Sequence, residues 1–367
     1  MFENVFSGKK VLITGNTGFK GSWLTTWLLE LGAEVVGISD RIPTQPSMFE
    51  ELNLKDKILH YYADIRNFNE LSKLIENTQP DFLFHLAAQA IVSVSYADPL
   101  DTLSTNVMGT AHVLEAVRHL KKECVTIVIT SDKCYDNVEW VWGYKETDVL
   151  GGKDVYSGSK GAAELVFKSY FHSYFVHERM SNIRIATGRA GNVIGGGDWA
   201  KDRIVVDCVR SWSQGNPVKI RSPNATRPWQ HVLEPLSGYL ALAQALHKHA
   251  DLHGESFNFG PRSEQNRTVL DLIGKLSEYW KFGNPHESYQ ITDNIPFHEA
   301  GLLKLNCDKA LFKLKWMPTL NYSQTIRLVS EWYYDFYQGK KNMYQVTTEQ
   351  INFYQMQAKY QELIWAN

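Results

Sequence analysis

The sequence predicts an α/β protein with a doubly wound parallel sheet and a smaller mixed α/β lobe. Three observations lead to this prediction. Short β-branched runs alternate with longer helical patterns through the first half of the chain, a glycine-rich turn follows the first run, and the regular alternation stops after Gly191. Strands that alternate with helices are typical of a parallel sheet covered on both faces.

The predicted elements follow a βαβ rhythm. The strands are KKVLIT, AEVVGIS, KILHYYA, DFLFHLAA and VTIVITS, with helices from Gly18 to Gly32, Leu71 to Asn77 and Thr102 to Leu120. Asp98-Pro99 indicates the start of the last helix, because Asp is a good N-cap and Pro is tolerated in a first turn. A helix from Tyr156 to His177 and the strand NIRIAT complete a Rossmann-type sheet.

The second half of the chain is organised differently. We expect a sheet domain over residues 1–190, to which segments from the second half return, a mainly substrate-binding lobe over 191–340, and a helical tail over 341–367. The stretch from Gly195 to Asn258 mixes Gly, Pro, Arg and Trp, which favours a position outside the main sheet. The tail is predicted to pack on its own protein or on a second subunit.

Composition argues against several classes of function. The chain has 367 residues, 38 basic and 40 acidic side chains and a net charge of -2, without a block of like charge, so neither nucleic acid nor an anionic membrane surface is indicated as a partner. No secretion signal is evident, and no run approaches the roughly 20 apolar residues of a membrane span. We therefore expect a cytoplasmic protein. The four cysteines are widely spaced, which predicts free buried thiols and no metal site.

The turn TGNTGFKG predicts a dinucleotide site. Gly15, Gly18 and Gly21 follow a strand and open a helix. A side chain at these positions would block the tight turn, the approach of a pyrophosphate to backbone N–H groups, or the packing of helix on strand.

Residues after the next strands are expected to bind the rest of the cofactor. Asp40 ends the second strand, where an acid binds the adenosine ribose and favours NAD over NADP, although the neighbouring Arg41 can favour a 2′-phosphate instead. Asp64 and Ile65 are expected near the adenine. The small residues in Leu86, Ala87 and Ala88 fit either a cofactor contact or ordinary tight packing.

The segment YSGSK predicts a catalytic pair. Tyr156 and Lys160 are four residues apart, so they share one face of a helix. A tyrosine titrates near ~10 and needs a nearby cation to act as a base at neutral pH. Lys160 and a nicotinamide charge are expected to supply that effect, so that Tyr156 can accept a hydroxyl proton as hydride leaves.

Three residues follow the fifth strand at the edge where such sheets bind ligands. Ser131 is expected to hydrogen-bond the same hydroxyl as Tyr156. Asp132 and Lys133 place an acid and a potential base side by side, which hydride transfer alone does not require. Both can face one substrate only if the strand breaks at Asp132, and the alternative is a solvated charge pair.

Together, TGNTGFKG, LAA, Asn106, TSDK and YSGSK resemble the extended short-chain dehydrogenase/reductase family over nearly the whole chain. The nearest subgroup is the nucleotide-sugar 4,6-dehydratases. Within it, the order of TSDKCY, RAGNVIGGGDW, RPWQHV, FNFGP and HEAGLLKLNCDKA is similar to the enzymes that act on CDP-glucose.

The resemblance implies a reaction in three steps. NAD oxidises carbon 4 of the glucosyl unit, water is eliminated across carbons 5 and 6, and the hydride returns to carbon 6. Asp132 would protonate the departing hydroxyl. Lys133 departs from the glutamate of the dTDP-glucose enzymes, which leaves the carbon 5 base open, because lysine accepts a proton only when neutral.

The resemblance also implies further contacts. Asn192 is expected at the substrate phosphates, Arg227 at the nucleotide end, and His298 at the substrate, whereas a turn residue and a surface charge are the alternatives for the first two. Asn106 is expected to be structural. The family implies a homodimer or homotetramer that pairs through the two long helices, and a role in lipopolysaccharide O-antigen biosynthesis.

Two other functions remain open from the residues. A 4-epimerase, or a dehydratase for another nucleotide sugar, would keep Tyr156 and Lys160, but an epimerase has no need of Asp132 and Lys133. A non-catalytic NAD-sensing protein would have no reason to keep Ser131, Tyr156 and Lys160 together.

Overall fold

The structure is a computed structural model that describes residues 1–177, 182–262, 265–280, 282, 284–292, 302–339 and 341–367. Its strands are β1 (Lys10–Thr14), β2 (Glu34–Ser39), β3 (Leu59–Tyr62), β4 (Phe82–His85), β5 (Cys124–Ile129), β6 (Ile183–Ala190), β7 (Val193–Ile194), β8 (Val218–Ile220), β9 (Thr226–Pro228), β10 (Gln230–His231), β11 (Ser256–Phe259), β12 (Asn266–Thr268) and β13 (Tyr289–Ile291).

The α-helices lie between and after these strands. They are α1 (Phe19–Glu30), α2 (Met48–Glu51), α3 (Phe68–Thr78), α4 (Val92–Ala97), α5 (Pro99–Leu103), α6 (Gly109–Arg118), α7 (Val155–Tyr170), α8 (Ile204–Ser213), α9 (Leu233–Lys248), α10 (Val269–Ser277), α11 (Asp308–Leu314), α12 (Tyr322–Gln338) and α13 (Met343–Tyr360).

Seven strands form the central sheet, in the order β11-β6-β5-β4-β1-β2-β3. Every neighbouring pair in this sheet is parallel. Successive side chains of a strand face opposite sides, so Val11 and Ile13 of β1 join one hydrophobic core and Leu12 joins the other. The predicted doubly wound parallel sheet is confirmed.

Helices cover both faces of the sheet. Helices α1 and α9 contribute to one core, which extends to α12 and α13. Helices α3, α6 and α7 contribute to the other. The predicted helix from Thr102 to Leu120 is confirmed as α5, a π turn over Ser104–Met108, and α6. It begins as expected, because the Asp98 side chain accepts a hydrogen bond from the Asp101 N–H and Pro99 occupies the first turn.

The prediction for Gly195 to Asn258 is wrong at its carboxyl end. Strand β11 joins the main sheet beside β6, and α9 packs on β5 and β6. Helix α9 is buried on nearly all sides, so its sequence lacks the polar stripe that marks a surface helix. Only the earlier part of the stretch, with β8, β9 and β10, lies outside the sheet.

Outside the sheet, three two-stranded pairs and α8 and α10 build the smaller lobe. The pairs are β7 with β10, β8 with β13, and β9 with β12. In the tail, α13 packs against α1 and α12, and Trp365 stacks on Phe2 and Tyr354. Of the two expected packing partners, the tail therefore contacts its own chain.

Two further observations concern the predictions made from composition. All four cysteines are free thiols, and Cys124, Cys134 and Cys208 are buried. Within the described ranges, no helix is long and apolar enough to cross a membrane.

Candidate active site

A continuous cleft of about 860 Å³ runs along the carboxyl ends of the sheet strands. At one end it is lined by the glycine loop between β1 and α1, and at the other by α8, β8 and β9 of the smaller lobe. Every predicted site residue lines this cleft except His298, which lies outside the described residues.

The three glycines of the loop meet different surroundings. Gly15 has a φ of 80°, and a Cβ there would lie 2.6 Å from the backbone nitrogen of Ala87. A Cβ on Gly21 would overlap the carbonyl oxygen of Gly15, so this glycine allows α1 to pack on the loop. Gly18 is different, because the nearest atom to its Cβ would be 3.4 Å away and the position faces the cleft. Such a cradle has room for a phosphate group at the start of α1.

The end of the cleft beside β2 and β3 carries charged residues. Asp40 and Arg41 lie 3.5 Å apart at the end of β2 and are largely exposed. The Asp64 carboxylate accepts hydrogen bonds from two nitrogens of the Arg66 guanidinium, which hold the pKa of Asp64 below its usual range. Ile65, Leu86 and Ala87 also line this part of the cleft. All the predicted cofactor-binding residues thus lie in one continuous region.

Helix α7 places Tyr156 and Lys160 on the cleft. Asp154 caps the helix by accepting a hydrogen bond from the Ser157 N–H at 2.9 Å. Tyr156 and Lys160 are 7% and 6% exposed, and the Lys160 Nζ lies 5.9 Å from the Tyr156 ring centroid. Asn106 donates a hydrogen bond to the Ser159 hydroxyl at 2.8 Å, so it fixes α7 as a structural residue would.

Burial dominates the protonation of this pair. It raises the pKa of Tyr156 to about 12, against the charge of Arg203 and a hydrogen bond with Ser131. Burial also lowers the pKa of Lys160 to about 8. In the protein alone, burial therefore outweighs the lowering of the tyrosine pKa that the sequence argument expected from Lys160.

Strand β5 ends at Ile129, and a 3₁₀ turn begins at Asp132. The Ser131 hydroxyl accepts a hydrogen bond from the Lys133 N–H at 3.2 Å and donates one to the Asp132 carboxylate at 3.0 Å. Because the strand has broken, Asp132 and Lys133 both line the cleft. The condition under which both can face one substrate is met.

A glycine that the sequence argument passed over makes room for Asp132. A Cβ on Gly191 would overlap the Asp132 carboxylate. The next residue, Asn192, has a φ of 53° and directs its amide to within 3.5 Å of the same carboxylate. The start of RAGNVIGGGDW is therefore built around Asp132.

A buried ion pair lies beneath these residues and was also missed. Glu164 is one turn after Lys160 on α7, and its carboxylate accepts two hydrogen bonds from Arg189 of β6, at 2.9 and 2.7 Å. Both side chains are fully buried. Burial alone would raise the pKa of Glu164, but the Arg189 charge and its hydrogen bonds hold it below the usual range. The sequence did carry a signal for this pair, because Arg189 lies in the otherwise largely apolar strand IRIATGRA and a buried arginine needs an acidic partner.

Three further charged residues share the cleft with Asp132. Arg203 lies 3.8 Å from Asp198, and Lys20 is in the first turn of α1. Burial and the Arg203 charge lower the pKa of Lys20 to about 8. The Lys20 side chain has no hydrogen bond or ion pair to another described residue, and a cation in a first turn opposes the helix dipole. The lysine of TGNTGFKG was visible in the sequence, but nothing local showed that it reaches the cleft.

The remaining predicted residues lie toward the smaller lobe. Arg227 of β9 lines the cleft and donates a hydrogen bond to the Thr226 carbonyl at 2.9 Å. His298 lies outside the described residues. Among the residues that the structure describes, no group of His, Cys, Asp or Glu is arranged to hold a metal ion.

Comparisons with known proteins show what this chain is similar to. The family model described as GDP-mannose 4,6 dehydratase matches residues 12–329. The CDP-glucose 4,6-dehydratase of Salmonella typhimurium strain LT2 is 46% identical over 340 residues, which cover 92% of this chain and 94% of that protein. The dTDP-glucose 4,6-dehydratase of Haemophilus influenzae is 24% identical over 343 residues, covering 88% and 97%.

Solved structures share the fold. The UDP-glucose 4-epimerase of Thermotoga maritima superposes with a TM-score of 0.76 at 22% identity, covering 89% of this chain and 99% of that one. The dTDP-glucose 4,6-dehydratase of Streptomyces venezuelae, which has NAD bound, gives a TM-score of 0.76 at 19% identity, covering 91% of this chain and 99% of that one. With a family model that matches most of its length and a relative 46% identical over 92% of it, the chain belongs to the family described as GDP-mannose 4,6 dehydratase, a family of nucleotide-sugar dehydratases.

Proposed function

We propose that this protein is a CDP-glucose 4,6-dehydratase, a hydro-lyase that converts CDP-glucose to CDP-4-keto-6-deoxyglucose and water. One observation carries most of the proposal. Asp132 and Lys133 line the same cleft as Ser131, Tyr156 and Lys160, and a glycine loop typical of dinucleotide sites borders that cleft. The 46% identical relative carries the same name.

The cofactor in this proposal is NAD. Gly15, Gly18 and Gly21 leave space for its pyrophosphate, because a side chain at Gly18 would enter the cleft. We propose that Asp40 binds the adenosine ribose, that Ile65 lies near the adenine, and that the small Ala87 lets the cofactor lie close, because all three line the cleft. Bound NAD would accept a hydride from carbon 4 and return it to carbon 6.

In the oxidation step, the reacting side chains come from α7 and from the residues that follow β5. Tyr156 takes the proton of the carbon 4 hydroxyl while Ser131 hydrogen-bonds the same oxygen. Lys160, buried one turn away, supplies positive charge that favours the phenolate. The Glu164–Arg189 ion pair anchors α7 to β6 and so keeps Tyr156 and Lys160 in position.

In the elimination step, the acid and the base come from the turn after β5. Asp132 protonates the carbon 6 hydroxyl as it leaves. We assign removal of the carbon 5 proton to Lys133, which lines the cleft beside Asp132. Lys20 lines the same cleft and burial lowers its pKa to about 8, so it is the residue against which this assignment has to be tested.

The rest of the substrate extends toward the smaller lobe. We propose that Asn192 contacts the substrate phosphates and Arg227 the nucleotide end, because both line the cleft beyond Asp132. His298 stays a prediction as a substrate-binding residue. The division into a sheet domain, a substrate-binding lobe and a tail is proposed on the same basis.

For assembly, we propose a homodimer, or a tetramer of such dimers, that pairs through the helical run α5–α6 and α7. Leu100, Met108 and Leu165 on these helices are 76%, 51% and 55% exposed, which leaves apolar surface that a second subunit would cover. Sedimentation of the protein should give at least a dimer. A cytoplasmic location and a role in O-antigen biosynthesis stay predictions.

The experiment that tests the function follows a deuterium label. CDP-glucose deuterated at carbon 4 should give a 4-keto-6-deoxy product with the label at carbon 6, from catalytic NAD and without a build-up of NADH. A label retained at carbon 4 in an epimer would identify a 4-epimerase. Loss of the label to solvent, or the absence of any product, would contradict the dehydratase proposal.

A further inference from the structure

The far wall of the cleft combines acidic and basic side chains. Asp202 and Asp207 lie beside or on α8, and Lys219 and Arg221 lie on or after β8. A second recess, bordered by Arg210 among others, opens from the same four residues. This wall therefore continues the cleft away from the catalytic residues.

The proposed function determines which part of the substrate reaches this wall. The glycine loop takes the cofactor, and the reacting sugar carbon must lie at Tyr156. The proposed function then places the diphosphate and the nucleoside past Asn192 and Arg227, toward α8 and β8. The nucleotide base is the part of the substrate farthest from Tyr156, so it belongs near Asp207.

Two carboxylates, those of Asp202 and Asp207, lie on the proposed path of a negatively charged substrate. A diphosphate carries negative charge, which Lys219, Arg221 and Arg227 would attract and an acid would repel. Asp202 is occupied, because its carboxylate accepts a hydrogen bond from the Ser93 hydroxyl at 2.6 Å. Asp207 is half-buried, and its carboxylate has no hydrogen bond or ion pair to any residue in the described ranges.

The Asp207 carboxylate is charged at neutral pH. Burial raises its pKa to about 6, with the neighbouring Asp202 charge acting in the same direction and Arg210 and Arg221 opposing it. An ionised carboxylate offers only hydrogen-bond acceptors. Two groups of a cytidine nucleotide can donate to it, the ribose hydroxyls and the exocyclic amino group of the base, and the base is the one that the proposed path of the substrate brings to this wall.

We propose that Asp207 selects cytosine by accepting a hydrogen bond from the exocyclic amino group at position 4 of the base. Uracil and thymine carry an oxygen at the same position, which would face the carboxylate lone pairs and be repelled. This inference rests on the proposed function, since that function places the base at this wall. A contact of this kind discriminates between bases by about 10- to 100-fold.

The test compares Asp207→Asn with Asp202→Asn in the NAD-loaded enzyme. Binding of CDP and UDP is measured by calorimetry, and kcat/KM is measured for CDP-glucose and UDP-glucose. An asparagine amide can accept from the amino group of cytosine or donate to the oxygen of uracil. Asp207→Asn should therefore reduce the preference for CDP over UDP by about tenfold or more, whereas Asp202→Asn should leave the preference unchanged.

The outcomes separate the inference from the proposed function. If the wild-type protein shows no preference for CDP, or if Asp207→Asn keeps the wild-type preference, the inference is overturned. If the preference changes as expected but no keto product forms from CDP-glucose, the inference holds and the dehydratase proposal fails. Thermal unfolding of each variant checks that a changed ratio does not reflect a misfolded protein.

Discussion

Substitution of the loop glycines by alanine separates folding from cofactor binding. Gly15→Ala forces a side chain into a φ of 80° and against the Ala87 backbone. The left-handed conformation costs about 1–2 kcal/mol and the overpacking about 1–3 kcal/mol, so the unfolding free energy should fall by about 2–5 kcal/mol. Gly21→Ala lacks the φ strain but meets the Gly15 carbonyl, and should lose about 1–3 kcal/mol.

Gly18→Ala should behave in the opposite way. Its Cβ has ordinary contacts, so its stability without NAD should change by at most about 1 kcal/mol, the cost of alanine at a helix N-cap. The methyl group would, however, stand where the pyrophosphate approaches the backbone. Loss of one hydrogen bond to a charged group, about 1.5–3 kcal/mol, weakens NAD binding by roughly 10- to 100-fold.

The assay combines denaturant unfolding without NAD and calorimetric titration with NAD. Gly274→Ala is the matched control, because Gly274 lies within α10 with nothing within 4 Å of its Cβ. It should gain about 0.5–1 kcal/mol and bind NAD normally. Normal NAD affinity in Gly18→Ala, or wild-type stability in Gly15→Ala, would refute the reasoning about this loop.

Three further predictions concern the catalytic and buried acids and bases. Tyr156→Phe should lower kcat by about two to four orders of magnitude while calorimetry shows an NAD affinity close to wild type; near-normal turnover would make Tyr156 a packing residue. Lys133→Met should abolish single-turnover exchange of the carbon 5 proton with heavy water, and Lys20→Met should not; the reverse result would transfer the base role to Lys20. Glu234 is buried in the first turn of α9, and burial raises the pKa of its carboxyl from the ordinary 4.5 of an unfolded chain to about 7. The folded state therefore holds the proton more tightly, and this stabilisation is lost as the pH rises through 7. The melting temperature should therefore fall between pH 5 and 8, and this fall should be smaller in Glu234→Gln; an identical fall in both proteins would contradict the shift.

Much of the site could be predicted because its elements are local in sequence. A strand, a glycine turn and a helix follow one another within a few residues, and the four-residue spacing of Tyr156 and Lys160 fixes them on one helical face. The end of β5 is also a local feature. The sequence predicted that Asp132 and Lys133 can face one substrate only if the strand ends before them, and in the structure a 3₁₀ turn begins at Asp132.

The prediction failed where burial removes the pattern on which it depends. Helix α9 has almost no exposed face and β11 is short and wholly buried, so neither has the periodicity that separates a sheet element from a lobe. The local composition of Gly195 to Asn258, with its Gly, Pro, Arg and Trp residues, therefore pointed away from the main sheet.

The sequence by itself determined the sheet class, the glycine loop and the tyrosine–lysine pair, because each depends on neighbours a few positions apart. Only the tertiary structure decided which charges meet. Arg189 reaches Glu164 across 25 residues, and Asn192 reaches Asp132 across 60. Lys20 and Asp207 become part of the site only when the glycine loop and α8 line the same cleft. Such contacts follow from the packing of whole elements, and no spacing along the chain encodes them.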